Sequence, residues 1–145
     1  MNMSKKEYGE MVKKASPNSR LVSNCVKAFV VGGLICTFGQ VLYAMFGALG
    51  AGREMSGTLV AVSLIFLAIL ATGIGKYDDL AKFAGAGAGV PITGFANAVA
   101  APAIEFKKEG YVMGVGAKMF LIAGPVIVYG TLSSMVVGLI YYFVR

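Results

Sequence analysis

Four long stretches of this sequence contain no charged residue: 28–52, 55–75, 83–104 and 119–144. A helix rises about 1.5 Å per residue, so about 20 apolar residues cross the ~30 Å hydrocarbon core of a bilayer. Each stretch is long enough to do so. Only 14% of the 145 residues are charged and 57% are hydrophobic, whereas a soluble domain carries about 25% charged residues. The pattern therefore predicts an all-α integral membrane protein and excludes a disordered chain or a soluble domain.

The third stretch differs from the other three in its glycines and prolines. Residues 83–104 read FAGAGAGVPITGFANAVAAPAI. In a helix interior, Gly costs about 1 kcal/mol and Pro about 3 kcal/mol relative to Ala. Non-helical backbone persists at membrane depth only where it is buried in protein or lines a water-filled cavity. We predict three to four transmembrane helices, with spans at about 28–50, 57–75 and 119–143 and a broken or re-entrant third segment at 83–104.

The N-terminal part is basic and polar, and we predict a cytoplasmic arm over 1–24 followed by a single membrane domain over 25–145. Residues 5–15 place apolar side chains at positions 8, 11, 12 and 15, the spacing of one helix face. The lysines of this helix are Lys5, Lys6, Lys13 and Lys14. A basic amphipathic helix of this kind lies on an anionic membrane surface. The alternative is a solvated arm without a lipid partner.

The distribution of Lys and Arg predicts the orientation of the chain. Cytoplasmic loops are enriched in these residues. The N-terminus is placed on the cytoplasmic side whether 83–104 crosses the membrane or dips in and returns, and the count favours the re-entrant arrangement slightly. The number of crossings stays open between three and four.

Signatures of enzymes are nearly absent. The sequence has no His, so neither a Ser-His-Asp triad nor a histidine metal site can form. The GAGAG run at 85–89 lacks the GxxxxGK[ST] pattern of a phosphate-binding loop. Asp78 and Asp79 are adjacent and are interpreted as a solvated turn. Without these motifs we expect no catalysis, no cofactor and no bound metal. The formal charge of +6 is explained by membrane insertion and the positive-inside rule, so we expect no nucleic acid as a partner.

One group of residues could form a substrate path. Pro91 suits the first turn of a helix that begins inside the membrane, where free N–H groups and the helix dipole attract anionic groups. Thr93 and Asn97 are four residues apart and share a face of that helix. Gln40 is the main polar residue inside the first span. The candidate path residues are Gly85, Gly87, Gly89, Pro91, Thr93, Asn97 and Gln40. Alternatively, the glycines only permit close packing against a neighbouring helix.

Several blocks of the sequence carry a family resemblance. The most specific ones are Phe83–Gly87 and Val90–Asn97, and others are Asn24–Phe29, Gly32–Gln40, Gly73–Asp78 and Glu105–Val115. Together they resemble the stage V sporulation protein AC/AE family of endospore-forming bacteria, over nearly the whole chain from about residue 20.

The resemblance implies a multi-pass subunit of the spore inner membrane that moves dipicolinic acid, as its calcium chelate, during sporulation and germination. It also implies other membrane proteins of the stage V sporulation A operon as partners, in a hetero- or homo-oligomer. The 1:1 calcium complex is formally neutral, which suits an uncharged interior. Two alternatives remain: a channel gated by membrane tension through the arm, and a non-conducting scaffold. The small residues Gly130, Ser134 and Gly138, spaced by four, favour helix packing of the kind a scaffold needs.

Overall fold

The computed structural model describes residues 5–15 and 20–144, with the side chains of residues 13 and 14 left out. The helices are α1 (Lys5–Ala15), α2 (Leu21–Ala48), α3 (Arg53–Gly73), α4 (Lys76–Ala84), α5 (Ala86–Gly89), α6 (Ile92–Glu105) and α7 (Ala117–Val144). A 3₁₀ turn at Phe106–Glu109 and a π-helical turn at Tyr111–Gly116 connect α6 to α7.

Three helical segments are long and apolar enough to cross a membrane: α2, α3 and the continuous run Tyr111–Val144. Their large apolar side chains, such as Phe29, Phe66 and Leu121, point outward, while the buried residues are mostly alanine and glycine. In lipid, helices associate by close packing of small residues, because acyl chains solvate the large apolar ones. The structure thus confirms the predicted all-α membrane fold.

The third apolar segment is broken, as predicted, and it is broken twice. Gly85 ends α4 with φ of +55°, a conformation that L side chains rarely adopt. Pro91 then caps α6 in an extended conformation, which starts a new helix with a fixed φ. The 14 residues of α6 extend about 21 Å, less than the ~30 Å of a hydrocarbon core. The segment 83–104 is therefore not a continuous span.

Two small clusters hold the broken segment against the long helices. Ala68, Tyr77 and Ala96 join α3, α4 and α6. Val31 packs with Ala84 and Ala88, joining α2 to α4 and α5. In addition, α6 lies along α7. The broken segment is consequently enclosed on several sides by helices of the same chain.

The predicted arm helix is present as α1, which spans residues 5–15. Lys5 and Lys6 are exposed on it, whereas the side chains of Lys13 and Lys14 lie outside the described part of the chain. Tyr8 and Met11 expose their apolar surface. Binding to an anionic membrane surface stays a prediction.

The far end of α7 is exposed in the described part of the chain. Residues 125–144 are exposed throughout. A Cβ added at Gly130 or Gly138 would meet no other atom within 4 Å. The predicted packing role of this small-residue spacing therefore stays a prediction.

Candidate functional site

The hydroxyl of Thr93 is buried and has no hydrogen-bond partner in the described residues. The residue is only 7% exposed. Four other hydroxyls in α2 and α3 behave differently, because each donates to the carbonyl oxygen four residues earlier: Thr37, Thr58, Ser63 and Thr72. This back-bonding is the usual way for a helix in lipid to satisfy a hydroxyl. Thr93 is thus the exception that requires a reason.

The break in the third segment leaves Thr93 without its usual acceptor. The residue four positions earlier is Gly89, which belongs to α5 and precedes the break. The carbonyl oxygen of Gly89 faces Gly94 so closely that a Cβ on Gly94 would overlap it. An unsatisfied buried hydroxyl costs about 1–3 kcal/mol. The hydroxyl oxygen is itself buried, so a ligand or a neighbouring chain reaches it only when the surrounding helices move.

Thr93 lines an apolar cavity of about 390 Å³ between α2 and α3. Phe38 lines it from α2, Leu67 from α3 and Leu80 from α4. The volume lies within the ~300–1,000 Å³ range of small-molecule sites. The accessible lining of the cavity is almost entirely apolar, and the Thr93 hydroxyl lies buried in its wall.

Gln40 and Pro91 line another cavity, of about 400 Å³. Cys36 and Tyr43 of α2 border the same space. The structure therefore brings together two candidates that are far apart in the sequence, the polar residue of the first span and the start of the half-helix.

A further cavity, of about 320 Å³, lies at the beginning of α2. Asn24 and Cys25 form one wall, and Lys82, Phe83 and Gly85 form the other. Of the three cavities along α2, this one has the most polar side chains, since its lining includes the amide of Asn24 and the ammonium group of Lys82.

The three cavities follow one another along α2. In this order, the first cavity involves residues 21–28 of α2, the second, which contains Thr93, involves residues 31–38, and the third, which contains Gln40, involves residues 35–43. The helix rises about 33 Å over residues 21–43, close to the ~30 Å thickness of a hydrocarbon core. The uncharged stretch begins at residue 28, so the part of the row that lies within the first predicted span covers residues 28–43, about 22 Å of helix.

Helix α5 separates the first cavity from the second. A Cβ at Gly87 would overlap the carbonyl oxygen of Ala28, and one at Gly32 would lie 3.3 Å from the carbonyl oxygen of Gly87. Backbone therefore contacts backbone at this crossing. Gly87 has the packing role that the sequence left open, whereas a Cβ at Gly89 would meet nothing within 4 Å.

Asn97 lies apart from the cavities that contain Thr93 and Gln40. The hydroxyl oxygen of Thr72 lies 2.7 Å from the carbonyl oxygen of Ala68 and 2.8 Å from Oδ1 of Asn97, and its single proton is donated to one of these acceptors at a time. The bond to Asn97 joins α6 to α3. In the described structure, Asn97 positions the half-helix.

The N-terminus of α6 faces other backbone groups. The N–H of Gly94 donates to the carbonyl oxygen of Pro91 at 2.8 Å. The carbonyl oxygens of Ala88 and Gly89 lie against Gly94. The negative ends of these carbonyls reduce the attraction that the positive end of the helix has for an anion. The hydroxyl of Thr93 is the better ligand at this place.

Sequence reasoning missed Tyr77, which is only 4% exposed. Its hydroxyl donates to the carbonyl oxygen of Ala88 at 2.8 Å. The signal was an apolar face with i, i+3, i+4 and i+7 spacing, formed by Tyr77, Leu80, Ala81 and Ala84.

The interpretation of Asp78 and Asp79 as a turn is wrong in its structure, although both side chains are exposed as expected. They occupy the first turn of α4, and Asp78 pairs with Lys82. Acidic residues stabilise a helix N-terminus by opposing its partial positive charge.

A profile of the family described as "SpoVAC/SpoVAEB sporulation membrane protein" matches residues 24–140. The chain belongs to this family. Among relatives of the SpoVAC/SpoVAEB chain, the Stage V sporulation protein AC of Bacillus subtilis (strain 168) is 45% identical over 139 residues. The alignment covers 95% of this chain and 93% of the relative. No solved structure matches the chain. The SpoVAC/SpoVAEB assignment makes it a sporulation membrane protein and confirms the resemblance found in the sequence.

Proposed function

We propose that this chain is a channel or transport subunit that moves dipicolinic acid, as its calcium chelate, across the spore inner membrane during sporulation and germination. The row of cavities along α2 carries the proposal, since it leads from the polar beginning of the helix into the first predicted span. Membership of a sporulation membrane family supports it. The cytoplasmic position of the N-terminus is part of the same proposal.

The residues along the cavities supply weak, uncharged contacts. Thr93 offers a hydroxyl and Gln40 an amide, while the remaining surface is largely apolar. A formally neutral chelate needs hydrogen bonds to its carboxylate oxygens more than it needs a full opposite charge. Sites for a transported molecule must also release it, so few contacts are an advantage.

The path requires neighbouring subunits. In the described chain the cavities are bordered mainly by α2, α3 and the broken segment, and three long helices do not surround a pore. We infer that other membrane proteins of the stage V sporulation A operon, or further copies of this chain, complete the walls. Lipid on the open side would otherwise fill the cavities.

The first test is replacement of the Stage V sporulation protein AC of Bacillus subtilis by this chain, followed by measurement of spore dipicolinate content. The unmodified chain is expected to restore the content. Thr93→Val removes the free hydroxyl at nearly constant shape and is expected to lower uptake and release several-fold. Thr58→Val is the matched control, because Thr58 bonds its own helix at an exposed position. Equal dipicolinate in both variants would remove Thr93 from the path.

A scaffold role is distinguished by whether water reaches the third cavity, which contains Gln40. Cys36 lines it beside Gln40, so it serves as a native probe once Cys25 is replaced by Ser. A membrane-impermeant thiosulfonate reagent is expected to modify Cys36 in the assembled complex. Val137→Cys, in a chain lacking both native cysteines, is the control on the exposed face of α7. If neither cysteine reacts, the cavity is dry and the scaffold alternative is favoured.

The tension-gated alternative depends on the arm. Deletion of residues 1–16 tests it directly, because the described part of that segment forms the amphipathic helix α1. An unchanged opening threshold in stretched membrane patches would exclude gating through the arm.

A further inference from the structure

The cavity at the beginning of α2 carries an aromatic ring and hydrogen-bonding groups together. Phe83 forms part of one wall, and the side chain of Asn24 forms part of the opposite one. Lys82 borders the same space. The other two cavities along α2 have no lysine or arginine in their lining. The first cavity is therefore the place along α2 where an anion meets positive charge.

One ammonium group lies over the Phe83 ring, and another borders the cavity. The Nζ atom of Lys27 lies 4.9 Å from the centroid of that ring, next to the cavity rather than in its lining, whereas Lys82 is part of the lining. Lys82 pairs with Asp78, and the hydrogen bond and charge of that carboxylate raise the pKa of Lys82. Asp78 thus compensates part of the charge of Lys82. An aromatic face stabilises an ammonium only partly, so Lys27 can still attract a carboxylate.

Gly85 shapes the wall behind these groups. Its φ of +55° turns the chain between α4 and α5, and a Cβ there would meet no atom within 4 Å. Glycine is needed at position 85 because the turn requires a positive φ, and the space at this position is open. The cavity of about 320 Å³ falls in the range of small-molecule sites, ~300–1,000 Å³.

We propose that this cavity binds a planar aromatic carboxylate, with the ligand ring against Phe83 and its carboxylate held by Lys27, Lys82 and the amide of Asn24. The proposal rests on the proposed function, under which the ligand is dipicolinate at the entrance to the path, bound there as the free dianion rather than as its neutral calcium chelate. The ring distinguishes this ligand from the headgroup of an anionic lipid, the other source of negative charge at a membrane surface. A phosphate headgroup interacts with the lysines but has no flat ring that could stack on Phe83.

The test measures ligand binding to the complete chain in phosphatidylcholine nanodiscs by isothermal titration calorimetry. Dipicolinate and benzene-1,3-dicarboxylate are expected to bind, while cyclohexane-1,3-dicarboxylate, with equal charge and no flat ring, binds at least about tenfold more weakly. Lys27→Gln is expected to weaken dipicolinate binding about tenfold, the equivalent of one lost charged contact. Phe83→Leu is expected to weaken it about fivefold, through loss of ring contact.

Lys107→Gln and Lys108→Gln are the matched controls, because they remove exposed positive charges outside the cavity. Both are expected to leave the affinity for dipicolinate within twofold. Circular dichroism and gel filtration establish that Lys27→Gln and Phe83→Leu fold. Equal affinity of both dicarboxylate shapes, or no difference between Lys27→Gln and the controls, would overturn the proposal. So would complete loss of dipicolinate binding when phosphatidylglycerol is added to the nanodiscs, because the headgroup would then be the occupant.

Failure here is separable from failure of the proposed function. Thr93→Val changes the second cavity and leaves the first intact, so it is expected to bind dipicolinate normally while lowering transport. If dipicolinate does not bind but Thr93→Val still lowers spore dipicolinate, the entrance site is wrong and the transport role stands. If binding occurs and Thr93→Val has no effect on transport, the entrance site stands and the role of Thr93 in the path is wrong.

Discussion

The hydroxyl of Tyr77 donates a hydrogen bond to the carbonyl oxygen of Ala88 across 2.8 Å. Tyr77 lies at the start of α4 and Ala88 lies in α5, so the bond ties the two short helices together. Both residues are buried. The position of α5, which separates the first two cavities, therefore depends on this bond as well as on the contacts of Gly87 with Ala28 and of Ala88 with Val31.

Tyr77→Phe tests this dependence. The change removes the donor and leaves the buried carbonyl of Ala88 without its side-chain partner, at an expected cost of about 1–3 kcal/mol in unfolding free energy. Thermal unfolding of the purified chain in detergent measures it. Tyr129→Phe is the control, because Tyr129 is 71% exposed on α7. Equal melting temperatures for the two variants would show that the bond contributes nothing.

Thr93→Val and Thr72→Val are expected to change stability in opposite directions. The hydroxyl of Thr93 is buried without a partner, so its removal keeps or raises the unfolding free energy, by up to about 1 kcal/mol. The hydroxyl of Thr72 always has an acceptor within reach, either Ala68 or Asn97, so its removal lowers stability by about 1 kcal/mol. Both variants are compared by unfolding in the same detergent. A large loss of stability in Thr93→Val would mean that its hydroxyl is already satisfied.

Gly87→Ala and Gly89→Ala form a second matched pair. The new methyl at position 87 would overlap the backbone of Ala28, so α5 must shift at a cost of about 1–3 kcal/mol. The methyl at position 89 would meet nothing within 4 Å, and Ala there restricts the unfolded chain, raising stability by about 0.4–1 kcal/mol. The sign of the difference is read from the two melting temperatures. Two equal shifts would contradict the close contact.

Thr72 and Asn97 are expected to show energetic coupling. A double-mutant cycle with Thr72→Val and Asn97→Leu isolates the bond between α3 and α6. We expect a coupling energy of about 0.5–1.5 kcal/mol, the net contribution of one hydrogen bond. Additive effects, with no coupling beyond experimental error, would mean that Asn97 does not anchor the half-helix.

The sequence predicted the break in the third segment because Gly85 permits, and Pro91 fixes, backbone conformations that interrupt a helix whatever surrounds them. Gln40 lines a cavity together with Pro91 although it is exposed, and its place in a substrate path stays a prediction. The contact of Gly87 with Ala28 was not predictable, because a Gly-rich run does not reveal which helix it approaches. Tyr77 was missed for the related reason that a nine-residue helix was read as a loop between spans.

The closest approach of α5 to α2 is made by Gly87, Ala28 and Gly32, where backbone contacts backbone, and Val31 packs beside it against Ala88. Contacts of this kind contain no flexible side chain that could absorb a displacement. A shift of α5 is therefore transmitted directly to the boundary between the first two cavities, and the hydrogen bond from Tyr77 opposes that shift.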